Sequence, residues 1–245
     1  MANLSGERRS LFVRDMFSRI ADRYDLMNRI MTAGQDIHWR KEVITRAALP
    51  LNGRLLDLGA GTGDLAFECL RQFPTCRTLA ADFAPEMMNV GRARRTDAPR
   101  QALDWAAADA QQLPFPDGIF DAVVTGFLLR NLSDVPRSLR EQYRVLKPGG
   151  RIVCLDTTPP PQSALSPLIH FYLRIIIPFL GGLIAGQREA YQYLPASTES
   201  FLEPEQLAAR LMAAGFQRVG FRRVMFGVVA IHWGLKIMDG GQADE

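Results

Sequence analysis

An α/β fold built on a doubly wound, mostly parallel sheet is the class this sequence predicts. Short apolar runs alternate with amphipathic stretches from residue 54 to residue 155, in the manner of βαβ units. A glycine-rich turn joins the first apolar run to the stretch after it, and the last two strand-like runs stand too close together to hold a helix between them.

The elements follow in order. Residues 1–50 read as an N-terminal helical cap, in which Leu11, Val13, Met16, Phe17 and Ile20 recur at near-helical spacing with Arg14, Arg19 and Asp22 between them; this predicts an amphipathic helix over 10–23. Pro50, Asn52 and Gly53 then punctuate the chain, and the main domain, 51–245, opens with a buried strand over 54–58. A helix over 63–73, a strand over 78–82, a helix over 85–94 and a strand over 103–107 come next, followed by a strand over 120–127 and a helix over 135–145. The turn KPGG (147–150) leads into a fifth strand over 151–155. Residues 157–195 break this rhythm as an apolar insertion opened by Pro159-Pro160-Pro161. A helix over 204–214 ending at Gly215 then leads to strands over 218–224 and 227–236, which must pair antiparallel, and the tail over 239–245 is expected to fray.

Composition narrows the function. The chain has 245 residues, 47% apolar and 22% charged, enough for one domain with an insertion to bury a full core. Its 29 basic and 26 acidic residues are spread without a polybasic block, so nucleic acid is not an expected partner. Cys69, Cys76 and Cys154 form neither a CxxC pair nor a disulfide framework and read as packing residues. Charges at Glu7, Arg8, Arg9, Arg14, Asp15 and Arg19 leave no apolar core for a secretory signal, and a cytoplasmic location is expected. His38, His170 and His232 lie far apart without metal-ligand spacing, so no metal is expected.

The chemistry is signalled first by LDLGAGTGD (56–64). Glycines at 59, 61 and 63 sit where the backbone must approach a ligand at a helix N-terminus, which makes Asp57, Gly59, Gly61 and Thr62 part of a cofactor loop. A dinucleotide fingerprint would place glycine where Asp64 stands, and an acid there repels a pyrophosphate. A cationic ligand suits that carboxylate, and S-adenosyl-L-methionine carries both a sulfonium and an ammonium. Asp82, ending the second strand about twenty residues on, is placed to accept both ribose hydroxyls of a nucleoside, with helix capping as its bland alternative. Asp109-Ala110 follows the third strand, where a carboxylate suits an adenine amino group.

Four blocks together resemble the menaquinone/ubiquinone biosynthesis C-methyltransferase family over nearly the whole chain. They are MFSRIADRYDLMN (16–28) with HWR (38–40), LDLGAGTGD (56–64), LPFPDGIFDAVVTGFLLRN (113–131) continuing to YRVLKPGG (143–150), and YLPAST with AIHWGLK near the end. The glycine loop and LPFPDGxFD occur in many methyltransferases, whereas RYDLMN and the LRN after the fourth strand belong to this family. The resemblance implies a Rossmann-like seven-stranded class I methyltransferase sheet, with S-adenosyl-L-methionine contacted by Thr62, Asp82, Asp109 and Ala110. It also implies C-methylation of a reduced polyprenyl demethylquinone, with demethylmenaquinol favoured over a ubiquinone precursor by resemblance alone. The chain departs from the family at two positions, Gly126 where a serine is frequent and Leu128 where a glycine is; the first weakens the cofactor contact expected at Gly126.

A quinol carbon becomes nucleophilic when a neighbouring hydroxyl loses its proton, which calls for a base or a cation beside the phenolate. Arg130, following the fourth strand, is the expected cation, with a structural salt bridge as the alternative. Tyr24, Asp25 and Asp156 are candidate proton acceptors, Asp156 favoured by its place after the fifth strand. In the insertion, Ser166, His170 and Arg174 make a narrow polar stripe on a wide apolar helix, which Arg174, Pro167, Pro178, Gly181 and Gly182 make ill suited to span a bilayer. It suits a lid or a membrane-surface helix admitting a polyprenyl chain, or alternatively a packing or homodimer helix. The N-terminal helix is expected to close over the active site and deliver Tyr24. Rival functions are a methyltransferase of the same fold on a soluble small molecule and a non-catalytic, cofactor-binding subunit; RYDLMN with the apolar insertion argues against the first, and an intact glycine loop against the second.

Overall fold

The computed structural model describes residues 6–94 and 102–237; the tail over 239–245 lies outside them. The strands β1 (Arg54–Leu58), β2 (Arg77–Asp82), β3 (Leu103–Ala107), β4 (Phe120–Gly126), β5 (Leu146–Thr157), β6 (Gln217–Val224) and β7 (Val229–Leu235) form one sheet in the order β3-β2-β1-β4-β5-β7-β6. The first five run parallel and β7 is antiparallel to both its neighbours, as the short connection between the last two strands requires. The KPGG segment does not end β4's partner strand. It is drawn into β5, with a register shift opposite Phe120 and Ala122.

Helices cover both faces, which is why the central strands carry continuous apolar residues. Leu56, Leu58, Val123 and Ile152 pack with Leu139 of α5 (Val135–Val145) and Leu207 and Leu211 of α9 (Pro204–Ala213). On the other face, Leu55, Val124, Val153 and Ile231 meet α3 (Asp64–Gln72) and α2 (Asp36–Ala47), the latter through Trp39, Val43, Ile44 and Ala47. Each of the buried leucines, valines and isoleucines among these contributes about 1.5–3 kcal/mol by leaving water. The free cysteines Cys69, Cys76 and Cys154 are all buried, Cys69 and Cys76 in this second layer. Caps set the helix starts: Asp134 accepts from Arg137 N at 2.9 Å, and Glu203 and Gln206 form a capping box.

The stretch read as a cap contains two helices with different work. α1 (Gly6–Met31) is about twice the expected length and lies across the carboxyl edge of the sheet, tied to α4 (Pro85–Ala93) by Ser18 Oγ donating to Glu86 at 2.7 Å. α2 was not signalled by periodicity; its short apolar set belongs to the sheet core. From Ser166 the insertion is helical but for Gly186 and Gln187: α6 (Ser166–Phe171), one π turn (Tyr172–Ile176), α7 (Ile177–Ala185) and α8 (Arg188–Glu199). The expected breakers do not break it. Pro167 opens α6, and the π turn loosens the ladder just before Pro178, whose ring would otherwise press on the carbonyl four residues back. The resulting run Ser166–Ile184 is, by length and composition alone, long and apolar enough to cross a membrane. Leu173 and Ile177 pack against Met16, Ile20 and Met27 of α1, while Leu168, Phe171, Ile175, Phe179 and Leu183 remain exposed.

Candidate active site

The sheet order reverses between β1 and β4, and the loops leaving their carboxyl ends diverge there, where doubly wound sheets hold ligands. A cavity of about 770 Å³ opens at this point, walled by Gly59, Gly61, Asp82, Asp109, Ala110 and Gly126 from the loops and by Phe17 and Tyr24 from α1. A second compartment of about 350 Å³ shares Tyr24, Gly59, Gly61 and Gly126 with it and adds Arg40, Asp57 and Thr62. Tyr24 and all eight residues expected around the cofactor therefore line one compartment or the other. Arg130 and Asp156 line neither.

The glycine loop hooks over β2, with Gly59 and Ala60 both donating to the carbonyl of Ala81 at 2.8 and 3.0 Å. Gly59 has φ +68°, and a Cβ there would stand 2.8 Å from Leu128. The leucine that departs from the family pattern thus fills the space above the loop. Asp82 accepts from Gly61 N and from Ala84 N, each at 2.7 Å, so it braces the loop and the start of α4 at once; burial still raises its pKa. Asp109 is exposed and accepts from Gln111 N at 2.8 Å.

Asp57 is 1% exposed and accepts from Ala66 N through Oδ2 at 3.0 Å, while Oδ1 is buried without a partner. Burial pushes its pKa up to about 7. A buried carboxylate oxygen aimed at a compartment and left unpaired fits the ammonium end of S-adenosyl-L-methionine. Asp64 does not play that part. Burial alone would raise its pKa, but Arg40 at 3.2 Å and Arg94 at 2.6 Å outweigh it and hold the carboxyl below its ordinary value. Its charge is already compensated by Arg40 and Arg94, whereas Asp57 Oδ1 has no such partner.

Of the three expected proton acceptors, Asp25 and Asp156 are committed elsewhere and Tyr24 is protonated. Asp25 accepts the hydroxyl of Thr62 at 2.6 Å and faces Arg94 at 3.4 Å, which pins α1 to the glycine loop; burial and then the neighbouring Asp64 raise its pKa. Asp156 is the buried counter-ion of Arg130 at 2.5 Å and also accepts from Thr157 N at 2.8 Å. Burial raises Tyr24 above its ordinary value against the pull of Arg130, so at neutral pH it is a phenol that donates. Two residues beside them went unremarked in the sequence. Phe127 holds φ +59°, a left-handed conformation costly for an aromatic residue and typical of functional sites. Asn131 lies on the cavity wall and donates to the carbonyl of Phe127 at 2.9 Å; its place directly after Arg130 in the LRN block was the only signal for it.

Against known proteins, the profile of the ubiE/COQ5 methyltransferase family matches residues 2–236. The chain belongs to this family. As a member of the ubiE/COQ5 methyltransferases it is 47% identical over 219 residues to the demethylmenaquinone methyltransferase of Thermus thermophilus, covering 89% of this chain and 99% of that protein. It is 46% identical over 224 residues to the ubiquinone/menaquinone biosynthesis C-methyltransferase UbiE of Desulfotalea psychrophila, covering 91% and 90%. A solved structure from Thermotoga maritima, described as a SAM-dependent methyltransferase and possible histamine N-methyltransferase, shares the fold with TM-score 0.63 at 17% identity, over 91% of this chain and 98% of that one.

Proposed function

We propose that this methyltransferase carries a methyl group from S-adenosyl-L-methionine to a ring carbon of a reduced polyprenyl demethylquinone, demethylmenaquinol foremost. The observation that carries the reading is Tyr24: it comes from the RYDLMN block, and α1 brings it to the wall shared by both compartments. The relatives' names point to the same class of acceptor. When bound, S-adenosyl-L-methionine supplies an electrophilic methyl on positive sulfur. Asp57 would hold its ammonium end, the glycine loop its centre, and Asp82 with Asp109 and Ala110 its nucleoside end.

For such an in-line displacement the chain aligns two reactants and excludes water. α1 supplies the outer wall that excludes it. The remaining requirement is a nucleophilic carbon, which needs the adjacent ring hydroxyl ionised. With Asp25 and Asp156 committed and the charge of Arg130 already neutralised by Asp156, which makes it the structural salt bridge weighed as its alternative, the chain contributes a donor in place of a free base: the hydroxyl proton goes to solvent, and Tyr24 on the cavity wall donates to the forming phenolate. The oxidised quinone has no hydroxyl to ionise and does not react.

An apolar groove of about 1040 Å³ between the end of α1, the insertion helix and the β6–β7 turn, walled by Leu168, Ile169, Ile176 and Phe226 among others, supports a polyprenyl tail. The exposed apolar stripe of the insertion supports peripheral attachment to the cytoplasmic face of a membrane. The test is methyl transfer from labelled S-adenosyl-L-methionine to chemically reduced demethylmenaquinol, with the oxidised quinone as control. Label in the quinol alone is expected; no label beside tight cofactor binding would overturn the acceptor.

A further inference from the structure

Buried polar atoms without hydrogen-bond partners gather behind the cavity wall. Where α8 packs against α1 and against the turn Leu129–Asn131, four of them lie unpartnered: Asn28 Nδ2, Arg130 Nε, Asn131 Oδ1 and the Tyr191 hydroxyl. Their residues are 4–7% exposed, Tyr191 least. An unsatisfied buried group forfeits its hydration without a replacement bond, so four around one junction destabilise the fold relative to apolar residues filling the same space. Native proteins keep such groups where a ligand supplies the missing partner.

Tyr191 is placed with care. A Cβ at Gly181 would stand 2.3 Å from its ring, so the bare backbone of α7 is the shelf on which the phenol lies. Its neighbours in the same apolar cluster include Met27 and Tyr24 of α1. Tyr191 is near enough to Tyr24 that a charge on Tyr24 opposes its ionisation, and Asn28 stands beside Tyr24. The junction therefore adjoins the wall where the acceptor ring must sit.

We propose that Tyr191 binds the acceptor, its hydroxyl meeting a ring oxygen alongside Asn28 and Asn131, so that the insertion reads the ring as well as the tail. This rests on the quinol reading above. The donor and acceptor complement fits the reduced ring: Asn28 and Arg130 offer donors, Asn131 an acceptor and Tyr191 either, while a hydroquinone hydroxyl both donates and accepts and a quinone carbonyl only accepts. α1 walls the junction as it walls the cofactor cavity, so Tyr191 and the cavity stand behind the same helix.

Tyr191→Phe keeps the ring on its glycine shelf and removes only the hydroxyl. The expected result is a KM for the reduced acceptor raised at least fivefold, cofactor Kd unchanged within twofold, and a cofactor-free Tm equal to or above wild type, because an unpaired hydroxyl has been removed. A merely structural hydroxyl would give the reverse, a lowered Tm with KM unmoved, and that outcome overturns the proposal. Wild-type protein inactive on every reduced quinol would overturn both this and the proposed function, whereas an active wild type with an indistinguishable Tyr191→Phe variant overturns the role of Tyr191 alone.

Discussion

Arg130 donates through Nη1 to Oδ1 of Asp156 at 2.5 Å, and neither side chain exposes more than 5% of its surface. The pair ties the turn after β4 to the end of β5, since Asp156 also accepts the backbone N–H of Arg130 at 3.3 Å. Removing one partner of a buried pair leaves an uncompensated charge, which costs more than the pair is worth. Asp156→Ala is expected to lose about 3–5 kcal/mol in urea unfolding. A loss under about 1 kcal/mol would mean that the guanidinium finds water, as an exposed pair does, and is not held by Asp156.

Gly59 and Leu128 make a second coupled pair. Gly59→Ala meets two penalties, the 2.8 Å approach to Leu128 and a positive φ. The first is relieved by Leu128→Gly, the second is not and costs roughly 1–2 kcal/mol in any background. Cofactor affinity should therefore collapse in Gly59→Ala and recover in part in the double variant, an interaction energy of about 0.5–3 kcal/mol in a double-mutant cycle. Strictly additive effects would show that Leu128 does not roof the loop.

Membrane attachment is expected to depend on the stripe Ile175, Phe179 and Leu183, whose side chains face away from α1 and from the apolar groove. Aspartate at all three should abolish flotation with liposomes while leaving methyl transfer to a short-tailed quinol intact, because none of the three walls the cofactor cavity. Equal flotation of the triple variant and wild type would remove the insertion from the membrane account.

Much of this architecture was legible because its causes are local. The alternation of apolar runs located every strand among the described residues, the short link between β6 and β7 forced their antiparallel pairing, and the glycine loop with Asp82 marked the edge where the cavity opens. What escaped was set by tertiary partners. α2 is recognisable only through the sheet face that Trp39, Val43 and Ile44 fill. Asp64 looked like the cation acceptor until Arg40 and Arg94, remote in sequence, folded onto it. Asp25 and Asp156 carried no local sign that Thr62 and Arg130 would claim them. Pro178 would end an ordinary helix, and only a π turn, itself without a sequence signature, lets the insertion run through it.

The buried carboxyl of Asp57 predicts a pH dependence whose sign can be worked out. Its folded pKa, raised by burial to about 7, stands above the ordinary aspartate value of 3.8. The protonated form is therefore favoured by folding: the contribution to stability is full below about pH 4 and is lost as pH rises through 7. Without cofactor, the stability of Asp57→Asn relative to wild type should rise across that window. A cation at Oδ1 reverses the preference, because it binds the ionised form and must expel the proton below pH 7. Cofactor affinity should then climb about tenfold per pH unit from pH 5 to pH 7 and level off above, whereas Asp57→Asn should bind weakly and without that slope. Isothermal titration across pH 5–8 checks it, with proton release on binding measured in two buffers. A flat wild-type profile with no proton release would take Asp57 out of the cofactor site and return the ammonium to the solvent-facing side of the glycine loop.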